Sequence, residues 1–245
     1  MANRKRAEAR RKAAAKAGGG NSKLWVWLSL GLAAVLIVVL VVVVAGGDDD
    51  TASGGGAGST PTETDDGGSS NIPDSQPVTV TGDSLPTYDS SAPLDEAVGM
   101  TAPVVVGKNF QGDEITIDAS TNGPTMVVFL AHWCPHCNAE VPRLLDWKTL
   151  GGDEGLNVIG VATAVSPGSV NYPPHEWFSN RGWSWPVLVD EKQGDGAAGT
   201  VAQAFGASAW PYFVIIGADG EVKVRVSGEV EVDRLEEIVA AALAA

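Results

Sequence analysis

Between positions 24 and 45 the chain runs through 22 residues without a charge, mostly Val and Leu, interrupted only by Ser29 and Gly31. Wound as an α-helix at 1.5 Å per residue, such a stretch reaches about 33 Å, enough to cross roughly 30 Å of hydrocarbon. The expectation is one transmembrane helix over residues 24–45, with the rest of the chain divided between the two sides of a bilayer. Trp25 and Trp27 stand at its basic end, where an indole rests at headgroup level. A cleaved secretory signal is the rival reading, since Val43 and Ala45 satisfy a small-residue cleavage pattern. Cleavable apolar cores run to about 7–15 residues, so the length favours a retained anchor.

Charge sets the orientation. Residues 1–23 hold eight Lys and Arg against the single acid Glu8, a net of +7, whereas the remainder carries 8 basic and 29 acidic residues, or −21. The positive-inside bias places the basic tail in the cytoplasm and the C-terminal part of the chain outside, as in a bacterial cell membrane. A basic arm can also bind nucleic acid, but this one runs straight into the apolar segment and has no aromatic residue to stack on a base, so no nucleic-acid partner is expected. Residues 46–98 are rich in Gly, Ser, Thr, Asp and Pro and poor in large apolar side chains. They read as a disordered acidic linker. As a coil of about 50 residues the linker would span on the order of 40 Å.

The folded domain is expected from residue 99 to the end. Val104–Val106 and Ile115–Ile117 read as two short strands around a turn at Gln111, Gly112 and Asp113. Residues 125–131 form an unbroken apolar run after Gly123-Pro124, the pattern of a central strand buried on both faces. A helix follows from Pro135 to Trp147, with Pro142 expected to kink it. Strands at 157–163 and 186–189 alternate with helices at 175–180 and 199–205, which implies a parallel βαβ core. Strands at 212–216 and 222–226 around Asp219-Gly220 then form a hairpin, and an amphipathic helix over 232–243 closes the chain. The fold class is α/β.

The only two cysteines, Cys134 and Cys137, sit where the central strand ends and the helix begins, in Ala131-His132-Trp133-Cys134-Pro135-His136-Cys137. A sulfur at the first helical turn faces unpaired N–H groups and the positive end of the helix dipole, which favour the thiolate. Cys137, one turn on, is close enough to close a disulfide. Cys134 is thus expected to be the exposed attacking sulfur and Cys137 the buried thiol that resolves a mixed disulfide. Pro135 suits the first turn because it has no N–H to leave unpaired. His136 can set positive charge beside the Cys134 sulfur; the plainer alternative is a solvent-facing imidazole. Zinc requires four ligands, and one C-x-x-C with His132, His136 and His175 as the only imidazoles makes a poor set, so neither a metal nor another cofactor is expected. A purely structural disulfide over so short a loop would constrain little.

From about Ala102 onward the sequence resembles the thioredoxin-like family, and within it the membrane-anchored, extracytoplasmic TlpA/ResA-like branch. The residues that carry the resemblance are Ala131, Trp133, Cys134, Cys137, Glu140 and Pro142 after an apolar strand, and Trp210-Pro211 before the strand Tyr212-Phe213-Val214. The resemblance implies a thioredoxin-like fold with a central mixed sheet, and thiol:disulfide exchange on protein substrates, with an unidentified redox partner resetting the cysteines. It also implies that Pro211 is cis beside the cysteines, with Trp133 and Trp210 lining the substrate groove. Glu140 then matches the acid that this branch keeps near the buried thiol, where it could accept the Cys137 proton; an exposed helical Glu is the plain alternative.

Three departures narrow the analogy. The thioredoxin Asp six residues before the first cysteine is replaced by Val128, Trp210 is bulkier than the usual residue, and Pro-His between the cysteines resembles oxidants of the DsbA type. Pro135-His136 points to an oxidant and Glu140 with the anchor to a reductant, so the direction stays open. A non-catalytic module that holds a partner or metal in the same groove is the alternative from another class. A peroxidase or other antioxidant role would use the same fold, and no separate peroxidatic motif is evident.

Overall fold

The structure, a computed structural model, describes residues 72–244. In chain order the elements are β1 (Thr79–Thr81), β2 (Val104–Lys108), β3 (Glu114–Ile117), α1 (Ala119–Asn122), β4 (Thr125–Leu130), α2 (Pro135–Thr149), β5 (Asn157–Ala162), α3 (Pro174–Asn180), β6 (Val187–Val189), α4 (Thr200–Ala204), β7 (Tyr212–Ile216), β8 (Val222–Ser227) and α5 (Val232–Ala244). One mixed sheet holds all the strands in the order β1-β2-β6-β5-β4-β7-β8, with β3 paired to β2. β4, β5 and β6 run parallel through the α2 and α3 crossovers, and β7 lies antiparallel to β4 on its other side.

The apolar run predicted to be the central strand is β4, and all six of its residues are buried. Alternation along the strand divides its side chains between two cores. Met126, Val128 and Leu130 pack with Val141, Leu144 and Trp147 of α2, while Val127 and Phe129 pack with Ile117, Phe205 and Tyr212 on the opposite face. Each fully buried side chain of this size contributes roughly 1.5–3 kcal/mol of transfer free energy. This packing, more than helix propensity, fixes where α2 starts relative to the end of β4. Gly160 on β5 is needed for a close approach: a Cβ there would come within 2.9 Å of the Trp183 ring.

The linker expected over 46–98 is corrected in its second half. Residues 72–98 belong to the domain: β1 adds to β2 in antiparallel register, Leu85 and Ala97 are buried, and Val78, Val80 and Tyr88 pack on the second core. Asp95 forms an ion pair with the buried Arg225 of β8. A segment that docks on a finished sheet needs only a few apolar side chains, spaced to match it, and a composition average hides them. The basic tail 1–23, the expected membrane helix 24–45 and linker residues 46–71 lie outside the described residues. Among the described residues, no helix is long and apolar enough to cross a membrane.

Candidate active site

Cys134 is the N-cap residue of α2 and Pro135 occupies its first helical turn. The two sulfurs are not joined to each other in this structure. The Cys134 thiol is lowered from its ordinary value to about 6. A hydrogen bond from the Cys137 thiol is the largest cause, partly opposed by burial and supported by the backbone N–H groups of Cys137 and His136 and by the His136 charge. Cys137 is fully buried, and burial pushes its thiol strongly upward, with the thiol bond to Cys134 adding to the shift. One helical turn therefore carries two unlike sulfurs, an ionised one at its tip and a protonated one beneath.

Cys134 is less open than the exposed sulfur predicted. It is 5% exposed, because its Sγ lies 3.4 Å from the Trp210 carbonyl and donates to it while protonated. A thiolate cannot donate, so ionisation frees that carbonyl. The Trp210-Pro211 peptide is cis. Trp133 is half-buried, and its indole N–H donates to the Ala164 carbonyl at 2.7 Å, tying the approach to the cysteines to the loop after β5. Trp210 is half-buried and packs against both cores.

Glu140, one turn beyond Cys137, is fully buried rather than an exposed helical Glu. Its Oε2 accepts from the Val230 amide at 3.0 Å and from Arg143 at 3.3 Å, while Oε1 has no protein partner. Burial raises its carboxyl to about 7, against the lowering effects of the Val230 amide and Arg143. It couples to Cys137 electrostatically, since a charge on Glu140 raises the thiol further. His136 is largely exposed, and its nearest partner is Glu229 at 2.8 Å rather than the Cys134 sulfur. Glu229 raises the imidazole, and the Cys134 charge adds to the rise.

Several contributors escape a reading of the sequence. Asn138 donates to the Cys134 carbonyl at 2.8 Å and accepts from Trp177 and Arg181 of the α3 region, so α3 braces the first turn of α2. His132 is buried, accepts the Ser166 amide on Nε2 and places Nδ1 3.0 Å from the Val170 carbonyl. That pairing makes it a neutral ring with its proton on Nδ1, and burial lowers its basicity accordingly. Glu229 and Val230, between β8 and α5, reach the site from some 90 residues away. An Asn one turn inside a helix is a weak cue at best, and nothing in the sequence around Glu229 signals its partners. Among the described residues, no group of three or more His, Cys, Asp or Glu is arranged to hold a metal ion.

A mixed α/β sheet with a dithiol at the start of the helix after its central strand, facing a cis-proline loop, defines a thioredoxin-like protein of the redox-active class. The chain belongs to the AhpC/TSA family, whose model matches residues 98–225. Among curated proteins it is similar to the thiol-disulfide oxidoreductase ResA of Geobacillus thermodenitrificans, 24% identical over 132 residues covering 54% of this chain and 70% of that protein. It is also similar to the soluble secreted antigen MPT53 of Mycobacterium tuberculosis, 28% identical over 127 residues covering 51% of this chain and 63%, under two thirds, of MPT53. A solved thiol:disulfide interchange protein of Chlorobium tepidum superposes with a TM-score of 0.47 at 23% identity, over 60% of this chain and 98% of that structure.

Proposed function

We propose that this domain catalyses thiol:disulfide exchange on protein substrates through Cys134 and Cys137. In the reducing sense, the Cys134 thiolate attacks one sulfur of a substrate disulfide and expels the other as a thiolate, forming a mixed disulfide. Glu140 takes the Cys137 proton, and the Cys137 sulfur attacks Cys134, which closes the Cys134–Cys137 disulfide and releases the second substrate thiolate. Two electrons pass to the substrate. The oxidising sense is the same sequence reversed, and the redox partner that resets the cysteines fixes which is used. The substrate strand pairs with the backbone before Pro211, between Trp133 and Trp210.

The observation that carries this reading is the division between the two sulfurs: Cys134 lowered to about 6 at the helix tip, and Cys137 buried and raised. The secreted character named for the relative MPT53 supports an extracytoplasmic site of action. Residues 24–45 would then anchor the domain in the cell membrane with the basic tail in the cytoplasm. The test is to incubate Cys137→Ala with a disulfide-bonded protein substrate and look for a covalent adduct. A dithiothreitol-sensitive adduct on Cys134 is the expected result; no adduct, with Cys134 shown to be accessible to a small alkylating agent, rejects it.

A further inference from the structure

Arg143 of α2 is surrounded by carboxylates. Its Nη1 reaches Glu140 Oε2 at 3.3 Å and makes a shorter contact with Glu229 Oε2, and its Nη2 lies 3.5 Å from Glu231 Oε1. The other oxygen of Glu229 holds His136 Nδ1 at 2.8 Å. Glu229 thus joins the residue between the two cysteines to the cation beside the buried carboxylate. The next residue, Val230, gives its amide to that same carboxylate.

We propose that Glu229 is a positioning residue that draws Arg143 away from Glu140 and so leaves Glu140 free to take a proton, while giving the His136 imidazole an anionic partner. The inference rests on the proton-acceptor role given to Glu140 above and adds what tunes it. The geometry carries it: the shorter Arg143 contact goes to Glu229, leaving Glu140 the longer one and its Oε1 with no partner. The direction of the shifts agrees, for the charge of Glu229 raises both Glu140 and His136. The titratable and charged groups of this cluster are Cys134 at the N-cap of α2, His136, Cys137, Glu140 and Arg143 on α2, and Glu229 and Glu231 ahead of α5. His136 and Arg143 share one carboxylate, each on its own oxygen, so the charge of His136 bears on how strongly Glu229 holds the arginine.

The test is to titrate the Glu140 carboxyl and the His136 ring by NMR in the full chain, reduced, in wild type and two variants. In Glu229→Gln, Arg143 turns to Glu140 and His136 keeps at most a neutral acceptor in place of an anion, so both midpoints fall, Glu140 by about half a unit or more. In His136→Ala, Glu229 is left wholly to Arg143, so the Glu140 midpoint holds or rises. Glu229→Asp restores at least part of both midpoints. An unmoved or raised Glu140 midpoint in a folded Glu229→Gln protein overturns the proposal; if that variant does not fold, a Glu140 midpoint that falls in His136→Ala overturns it. These midpoints are read without substrate, so a wild type without exchange activity would reject the exchange reading and leave this coupling to stand or fall alone.

Discussion

Val230 gives its backbone N–H to the buried Oε2 of Glu140 at 3.0 Å, across 90 residues of sequence. The bond places a carboxyl group in the core beside α2 and next to Cys137, with one oxygen satisfied and the other without a protein partner. A group in that setting holds its proton into the neutral range, and the first expected outcomes follow from it.

Glu140 is raised from 4.5 to about 7 by burial. Below the unfolded value both states keep the proton; between the two values the unfolded chain releases it while the folded chain does not. The stability that Glu140 contributes is therefore full below about 4.5 and is lost by about 7, a change of roughly 3 kcal/mol at most. Glu140→Gln should remove this slope, becoming more stable relative to wild type as pH rises through that window. Urea denaturation at pH 5 and pH 8 measures it, and equal differences at both pH values would contradict the assignment.

Cys137 supplies the largest of the effects that hold Cys134 low. Replacing it with Ala removes that hydrogen bond but keeps the helix start. The Cys134 alkylation midpoint should rise by about one unit and stay below the free-thiol value of about 8.5. A midpoint unchanged by Cys137→Ala would mean that the helix end alone sets the thiolate.

Arg225 is buried and paired with Asp95, in a segment the sequence alone assigns to a linker. A chain that begins at residue 100 would lose β1 and leave this guanidinium without its carboxylate. Stripping one partner from a buried ion pair costs about 3–5 kcal/mol. Such a truncated chain should unfold at distinctly lower urea than one that begins at residue 72, and matching midpoints would remove residues 72–98 from the folded unit.

A thiolate near pH 6 stabilises the dithiol, and so strengthens the disulfide as an oxidant relative to a couple whose thiol titrates near 7. One pKa unit is worth about 1.4 kcal/mol, or about 30 mV for two electrons. Starting from about −270 mV for a thiol near 7, the couple should fall at roughly −240 mV, well short of the −120 mV of a strong oxidant. A glutathione titration at pH 7 reads this value.

Much of the architecture was legible because its periodicities are local. The apolar run of β4, the Asp219-Gly220 hairpin between β7 and β8, and the amphipathic α5 each announce themselves within a dozen residues. The cysteine pair was equally plain, since its place between strand and helix is a sequence fact. What was not legible depends on partners far along the chain. Glu140 looks like any helical acid until Val230 and the core close over it, and His136 looks directed at Cys134 until Glu229 takes its imidazole. The first strand was hidden for the opposite reason: Val78 and Val80 are too few to fold alone and need only the edge of a sheet built elsewhere.

The central claim is that Cys134 is ionised at the tip of α2 in the neutral range. Its most direct test is the alkylation rate of the reduced full chain against pH, with mass spectrometry separating modification of Cys134 from that of Cys137. The expected result is a Cys134 profile with its midpoint near 6 and a Cys137 that stays unreactive throughout. A Cys134 midpoint at or above the free-thiol value of about 8.5, or faster labelling of Cys137, would contradict it.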